Sequence, residues 1–558
     1  MNRTKMLKKA AALTVASTVL FSTSSSVLAA SYQEVEKAAL TQAVKGFSSY
    51  WDTVLSQQEK ALAGSKANMS LTLEDGGKAL LSAVSGGMDF SWLNSLSMDM
   101  AVSMAEGKEM MNAEVLLNDS SLCSMNMYMD MAELIEYMQV PELSETWLKI
   151  PLLASLEMSE EAMADSFESE EEAQAYQQYM EEYEASMQNL YKILGDMTSV
   201  YPDTETLTTL MERYGNLVID NLSEASSAEE ALSVEGVSED CTVYETSIKE
   251  SNLTDIMNGV LKTAKEDQEL KGLLEKWDEV GNTDLYDQFQ KGADDLLAEL
   301  EGEDYSEENS EMFLYRVWVN ADGKIKGREI SIADDVEPYP ILTWKSPSAD
   351  GSSALLAELD LGTESITLTG SGQTTDNLLN GEYVLAINDI KTIAVQAQNV
   401  TVNKENPWKG VFEGTYNLSF LQDTTSEEQN PLAAFGLTLY VLSDMDNYES
   451  QIDLTVTGSG AALVTLSVTS GFAEASVEAP DAAALESAID ISNEEAGAAY
   501  TANLDVNTIL NNAVAAGMPE ELVTAIVQSM MASAEGAASE EGNTEEMLPE
   551  TETADAAA

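Results

Sequence analysis

Residues 96–131 read LSMDMAVSMAEGKEMMNAEVLLNDSSLCSMNMYMDM. Apolar residues alternate with polar or small ones in three stretches, Leu96–Met104, Met111–Leu117 and Cys123–Met131. An alternation of period two puts every second side chain on the same face of a β-strand. Turn-forming residues separate the three stretches. The pattern therefore predicts three successive antiparallel strands that share one apolar face.

Eight methionines belong to the apolar face of this predicted meander: Met98, Met100, Met104, Met111, Met125, Met127, Met129 and Met131. Methionine is flexible and polarizable, so a methionine-rich surface accepts apolar shapes of many kinds. One interpretation is a concave face that binds a lipid-like or other apolar ligand. The alternative is an ordinary core covered by two amphipathic helices, which apolar spacing predicts at Tyr32–Leu62 and Tyr176–Leu194. The sequence leaves both interpretations open.

Periodic patterns extend these predictions along the chain. Spacings of three and four residues predict further helices at about 207–218, 253–277 and 285–300, and two short helices within 509–531. Alternating segments predict a strand at 241–248, a hairpin at 312–332 and a second β-rich region at about 340–469. The tetrapeptide Thr-Gly-Ser-Gly, at 369 and again at 457, is interpreted as a reused hairpin turn.

The beginning of the chain has the pattern of a secretory signal peptide. Basic residues are followed by a twelve-residue apolar run, Ala10–Phe21, and by small side chains at Val27–Ala29. The run is shorter than the roughly 20 residues of a membrane helix, and no later segment approaches that length. No cysteine lies near the expected cleavage site to carry a lipid anchor. We therefore expect a secreted, extracellular protein without a transmembrane segment or lipid anchor.

Together these patterns predict an α+β fold. An antiparallel half-barrel sheet, with helices on its concave face, is followed by a second antiparallel β region and a short helical C-terminus. The predicted divisions are a signal peptide at 1–29, a helix-covered half-barrel at 31–335, a second β domain at 336–480, a helical segment at 481–533 and a disordered acidic tail at 534–558.

The composition excludes several classes of function. The chain has no histidine, which excludes hydrolases with an imidazole base and histidine-ligated zinc. Its 27 basic and 98 acidic residues give a net charge of −71, which repels nucleic acid. Paired carboxylates could serve a glycosidase, but among 98 acidic residues a pair carries no weight alone. We therefore predict no catalytic residues, no metal and no cofactor.

Cys123 and Cys241 are the only cysteines of the chain. Outside the cell they could form a disulfide, which would close a long loop. Two buried free thiols are the alternative, and the sequence does not show whether the two residues meet.

The order of elements resembles the half-barrel lipoprotein superfamily typified by LolA and LppX. The resemblance covers about Ser31–Ile332: a long helix, a meander, covering helices and the later hairpin VWVNADGKI at 317–325. The segments VPELSETWLKIP (140–151) and CTVYETSIKE (241–250) also resemble parts of uncharacterised secreted or lipid-anchored clostridial proteins. The resemblance implies a curved sheet that shelters lipid-like ligands under helices. The chain departs from the family in its length, its second β region and its missing lipid anchor, and no functional residue is carried over.

The expected function is therefore non-enzymatic binding of an apolar or lipid-like small molecule. The chief alternative is a cell-surface or matrix scaffold whose partner is a cell-envelope protein, and a carboxylate-dependent hydrolase is a distant third. Exposed methionines beside an open cavity would favour ligand binding, whereas a packed interior with an exposed sheet edge would favour the scaffold.

Overall fold

The structure of the protein is a computed structural model. It describes residues 31–105, 107–152, 201–281, 284–301, 310–333, 338–402, 413–422, 430–444, 448–472 and 480–529, together with five positions between 174 and 183. The predicted signal peptide at 1–29, most of the predicted helix Tyr176–Leu194 and the predicted acidic tail at 534–558 lie outside the described residues.

The described residues form both helices and strands. The helices are α1 (Tyr32–Ala63), α2 (Asp75–Val84), α3 (Thr204–Asp220), α4 (Glu250–Glu266), α5 (Gln268–Gly281), α6 (Leu285–Glu301), α7 (Ala482–Glu486), α8 (Glu494–Ala502) and α9 (Val506–Ala515). A 3₁₀ turn spans Pro431–Ala434, and residues 520–529 are also helical.

The first strands in the chain are β1 (Ser65–Leu73), β2 (Ser95–Ala105), β3 (Lys108–Leu117), β4 (Ser120–Asp130), β5 (Ile135–Gln139), β6 (Leu148–Pro151), β7 (Ser226–Val234), β8 (Val237–Lys249), β9 (Glu311–Asn320) and β10 (Ile325–Ile332). The later strands are β11 (Tyr339–Lys345), β12 (Ser348–Ala349), β13 (Ser352–Asp360), β14 (Ser365–Thr375), β15 (Leu378–Ile387), β16 (Ile390–Thr401), β17 (Gly414–Phe420), β18 (Phe435–Asp444), β19 (Glu449–Gly458), β20 (Ala461–Phe472) and β21 (Ile489–Asp490).

These strands form one large antiparallel sheet that is not closed. Its neighbours run from β7 to β11 in chain order, then from β13 to β20, and then from β1 to β6. The short strand β12 pairs with β13, and β21 pairs in parallel with β6. The predicted α+β class and the predicted meander β2–β3–β4 are therefore confirmed.

The second β-rich region continues the same sheet on both of its sides. The predicted division between 31–335 and 336–480 falls between β10 and β11, which are hydrogen-bonded neighbours. At the other side, β20 pairs with β1 along the whole length of β1. The strands of the N-terminal meander are consequently joined to β7–β10 through the later strands. The domain boundaries themselves stay predictions.

Helix α1 begins at a capping box and then packs on the sheet. The Ser31 hydroxyl accepts a hydrogen bond from the backbone of Glu34, and the Glu34 carboxylate accepts one from the backbone of Ser31. The first turns of α1 bury apolar side chains against β8, β9 and β10, in a cluster that includes Tyr32, Val35, Ala39, Ile248, Phe313, Val317 and Ile330. Leu40 and Val44, one turn further on, pack against Ile219 of α3.

Some local elements differ from the sequence predictions. Strand β1 and helix α2 are among those not predicted, because the first half of β1 lacks a clear apolar side and α2 is short with two glycines in its first turn. The helix predicted at 253–277 is two helices that meet at Asp267. Asp267 accepts hydrogen bonds from the backbone amides of Glu269 and Leu270, so it starts α5 and ends the continuous helix.

The repeated Thr-Gly-Ser-Gly segment has two different structures. At 457 it leads into a turn, where Ser459 and Gly460 both have positive φ angles, as predicted. At 369 the prediction of a turn is wrong, because the segment lies inside β14. A Cβ added to Gly370 would lie 2.5 Å from the Tyr383 ring and 2.2 Å from a backbone oxygen. The glycine is therefore needed here for the close approach of a neighbouring tyrosine and not for a turn.

Candidate apolar binding face

One face of the sheet is apolar from β8 to β5, and we call it the apolar face. Cross-strand partners share a face, so the pairing register defines its members. One row joins Trp344, Ala357, Leu368, Leu385, Ile393 and Phe420. A second row joins Leu439, Leu454, Leu466, Leu71, Leu96 and Leu117. Leu418 lies two residues before Phe420 and Leu437 lies two residues before Leu439, so each lies on the same face as its row. Since Leu418 pairs with Leu437, the two rows belong to the same face.

Several aliphatic side chains of the apolar face are exposed. The exposed fractions are 49% for Ile366 in β14, 46% for Ile452 in β19, 45% for Leu71 and 41% for Met69 in β1. Single exposed apolar residues are ordinary, but a contiguous group of them marks an interaction surface. The apolar face is therefore the candidate site.

Across β14–β20, β1 and β2 the opposite face is mainly polar. Asn68 donates a hydrogen bond to Asp99 across β1 and β2 at 2.6 Å, and Thr438 donates to Asn417 across β18 and β17 at 2.8 Å. The Thr455 and Thr465 hydroxyls are 3.0 Å apart. At β7–β9 this other face is instead covered, because it contains a small buried cluster of Leu232, Cys241, Val243 and Trp318.

A buried ion pair fixes α1 over one end of the apolar face. Glu36 of α1 accepts two hydrogen bonds from the Arg328 guanidinium of β10, at 2.7 and 2.9 Å. The side chains of both residues are almost fully buried. Arg328 also donates to the Tyr315 hydroxyl. Because two parallel hydrogen bonds join the planar guanidinium group to the carboxylate, they fix the position of the helix along the sheet as well as its distance from the sheet.

The electrostatics of this cluster follow from its burial. Burial disfavours the charged form of Arg328, yet the Glu36 carboxylate holds its pKa above the ordinary value. Burial, reinforced by Glu36, raises the pKa of Tyr315. The pKa of Tyr32 is raised for the same two reasons. The arginine therefore stays charged and both tyrosines stay neutral across the physiological range of pH.

The C-terminal end of α1 lies beside β18, β19 and β20, in the interior of the strand order. There Gln57, Lys60 and Ala61 face the ends of β18, β19 and β20 across a cleft of about 360 Å³. The Ser56 hydroxyl lies 3.1 Å from the Tyr448 hydroxyl, and the Lys60 ammonium lies 3.7 Å from the centre of the Tyr448 ring. These contacts hold the helix end beside the cleft.

The structure places seven of the eight predicted methionines on the apolar face: Met98, Met100, Met104, Met111, Met125, Met127 and Met129. All seven are half-buried. Met131 is separate from them, because it is buried in the turn that follows β4. The role of these side chains in ligand binding stays a prediction.

Two glutamates that sequence reasoning missed flank the end of the methionine rows. Glu109 and Glu136 are the cross-strand partners of Met129, one on each side. Burial, reinforced by the charge of Glu109, raises the pKa of Glu136. Their positions on alternating strands were visible in the sequence, but only the register shows that they share the methionine face.

Neither cysteine is in a disulfide in the structure, and only Cys241 is buried, whereas Cys123 is half-buried. Cys123 stands on the apolar face opposite Val115, whereas Cys241 is buried on the other face beside Trp318. Their strands β4 and β8 also lie near opposite ends of the strand order. Burial raises the pKa of Cys123, and burial raises the pKa of Cys241 to about 12.

Within the described ranges, no group of three or more histidine, cysteine, aspartate or glutamate side chains could hold a metal ion. None of the helices in the described part of the chain is long and apolar enough to cross a membrane.

The fold and the apolar face define an open-sheet α+β protein with one aliphatic surface. Comparison of the chain with known protein families, with curated proteins and with solved structures found no match.

Part of the apolar face could not be located from the predicted meander alone. Met69 and Leu71 of β1 lie between β2 and β20, where they join the methionine rows to the aliphatic rows of the later strands. The alternation in residues 65–73 (SKANMSLTL) was the available signal. It was weak because only the last five residues, Met69–Leu73, combine a clear apolar side with a polar one.

Proposed function

We propose that the protein is a non-enzymatic binding protein that holds the apolar chain of a lipid-like molecule on its apolar face. In this proposal the sheet curves as a half-barrel with the helices on its concave side, and the protein acts outside the cell after removal of its signal peptide. The observation that carries the proposal is the exposed group of Met69, Leu71 and Ile452, in which Met69 and Ile452 share the cross-strand partner Val468, together with Ile366, which is exposed further along the same face.

The energetics support an apolar ligand. Covering one exposed aliphatic side chain of this size contributes about 1.5–3 kcal/mol when the chain is fully buried. Four side chains that are about half exposed would therefore contribute about 3–5 kcal/mol, which is part of the roughly 8 kcal/mol that micromolar binding requires, and burial of the ligand's own apolar chain would add to it. A flat polar ligand would gain nothing from these side chains.

The edge of the sheet gives less support to the scaffold alternative. The edge strand β7 carries Glu229 and Glu230, and most of its residues are exposed. Charged side chains on an edge strand oppose the addition of a strand from a partner. A strand-pairing scaffold would need a partner that neutralises these glutamates.

The first test is native mass spectrometry of protein purified from its own culture medium, followed by lipid extraction. We expect a co-purifying amphiphile and an increase of ANS fluorescence that added lipid reverses. The absence of both would contradict the proposal.

A paired set of variants tests the face itself. Ile366→Lys and Leu71→Lys put a charge on the apolar face, whereas Thr367→Lys and Ser70→Lys put the same charge on the polar face of the same strands. We expect the first two variants to lose ligand binding by at least tenfold and the two controls to keep it. Equal effects in both pairs would show that the apolar face does not bind the ligand.

A further inference from the structure

The sheet wall of the cleft beside α1 contains a row of three serines. Ser443, Ser450 and Ser470 are direct cross-strand partners on β18, β19 and β20, so their side chains leave the same face of the sheet. All three line the cleft. The next row on the same face is aliphatic and consists of Val441, Ile452 and Val468. The side chains of the apolar face therefore change from aliphatic to hydroxyl-bearing between one cross-strand row and the next, two residues further along each strand.

The hydroxyl groups of this row have more acceptor than donor capacity. The Ser450 and Ser470 oxygens are 2.6 Å apart, so one hydroxyl donates to the other. Since each hydroxyl has one hydrogen and two acceptor sites, the bonded pair keeps one hydrogen but several acceptor sites. Asp444 and Glu449 also border the cleft at the strand ends, but the register directs their side chains to the opposite face of the sheet. A ligand group that donates hydrogen bonds is complementary to the hydroxyl groups of this row.

The charges around the cleft disfavour an anion. Lys60 is the cation of the lining, and its ammonium lies over the Tyr448 ring at 3.7 Å from the ring centre. An ammonium in this position interacts with the negative face of the ring. Asp444 and Glu449 stand at the strand ends beside the cleft, and the chain as a whole has a net charge of −71, so the surroundings of the cleft are negative. An uncharged ligand meets no such repulsion.

We propose that the cleft binds the uncharged, hydroxyl-rich headgroup of an amphiphile, of the glycolipid or acylglycerol class. Its apolar chain continues from the serine row along the row of Val441, Ile452 and Val468 towards Met69. This assignment rests on the proposed function, because it places the headgroup of the same ligand whose chain lies on the apolar face. The volume of about 360 Å³ is within the usual range for small-molecule sites.

The test compares dodecyl maltoside with laurate, whose chains have the same number of carbon atoms when the carboxylate carbon of laurate is counted, but which differ in the headgroup. Both are titrated calorimetrically into the full chain below their micelle concentrations. We expect dodecyl maltoside to bind at least tenfold more tightly. Ser450→Ala and Ser470→Ala should each weaken its binding about fivefold, the effect of one lost hydrogen bond, and leave laurate unchanged.

Two control variants separate the possible failures. Ser467→Ala removes a hydroxyl from the opposite face of β20 and should change neither affinity. Ile452→Lys removes the chain site and should abolish the binding of both compounds. Unchanged dodecyl maltoside binding in both serine variants, with loss in Ile452→Lys, would overturn the headgroup site and leave the proposed function standing. Unchanged binding in Ile452→Lys would refute the proposed function as well.

Discussion

Replacing Glu36 by glutamine tests how α1 is fixed on the sheet. The substitution keeps the shape of the side chain but removes its charge, and it leaves the Arg328 guanidinium buried without its counter-ion. Removal of one partner from a buried, hydrogen-bonded ion pair destabilises a protein by about 3–5 kcal/mol. The two charged hydrogen bonds of 2.7 and 2.9 Å and the nearly complete burial of both side chains place this pair in that class.

The measurement is equilibrium unfolding in urea, followed by tryptophan fluorescence, for the wild type and Glu36→Gln. Lys37→Gln is the matched control on the next residue of the same helix. Lys37 pairs with Asp220 at 2.5 Å, but both side chains are exposed to solvent, so its loss should change stability by less than about 1 kcal/mol.

A double variant separates the contribution of the ion pair from the cost of leaving one buried charge without its partner. In Glu36→Leu with Arg328→Met both charges are replaced by apolar groups of similar size, so no buried charge remains. Such replacements are often neutral or stabilising. We therefore expect the double variant to recover most of the stability that Glu36→Gln loses. If Glu36→Gln and Lys37→Gln have equal effects, the buried pair does not fix the helix.

Three further predictions concern single sites. The arginine partner of Asp267 and the backbone amides that donate hydrogen bonds to it lower its pKa from 3.8 to about 2. Its charged carboxylate should therefore add about 2 kcal/mol to the free energy of unfolding above pH 4, and this contribution should be lost as the pH falls to about 2. In Asp267→Asn the urea midpoint should change less than in the wild type over this range of pH. Gly272 lies in α5 with open space where a Cβ would be added, so Gly272→Ala should raise the free energy of unfolding by about 0.5–1 kcal/mol. Gly370 has no such space, so Gly370→Ala should lower the free energy of unfolding by more than about 1 kcal/mol. Urea midpoints equal to that of the wild type would contradict both expectations. At pH 8 the thiol reagent DTNB should react with the half-buried Cys123 before Cys241. Cys241 is buried and its pKa is raised, so it should react only when the protein unfolds. Fewer than two reactive thiols in urea would reveal a disulfide.

The sequence predicted the local elements well where one period holds over a whole segment. The meander β2–β3–β4, the hairpin β9–β10 and the helices α1, α3 and α6 are of this kind. Each depends on contacts between residues close in the chain, or on one uninterrupted apolar stripe. Hairpin pairing then follows from the short turns between successive strands.

The joining of the sheet could not be predicted in the same way. Alternation shows which residues share a face, but it does not show which strand lies beside which. Strands β1 and β20 pair although they are far apart in the chain. Nothing in the residue pattern of either strand identifies the other as its neighbour. The sequence therefore left open whether the second β region continues the first sheet or forms a separate domain, and the structure shows that its strands carry most of the apolar face.

The buried ion pair was missed for a related reason. Glu36 stands among apolar residues on the buried side of α1, at a position where a charged residue is rarely buried. Its partner Arg328 is 292 residues away on β10. Only the tertiary fold shows that the two charges compensate each other.

The identity of what covers the apolar face can be argued from charge. A sheet gains stability when its apolar face is covered. In the described part of the chain the first turns of α1 pack on β8–β10 and its last turns lie beside β18–β20, while Ile366 of β14 and Ile452 of β19 stay exposed. A second copy of the protein would bring another net charge of −71 to the same place, and the mutual repulsion would oppose the gain from apolar burial. An uncharged aliphatic chain provides the same burial without that repulsion. The acidic surface, which keeps the molecules apart in solution, therefore favours a small apolar ligand over self-association as the partner of this face.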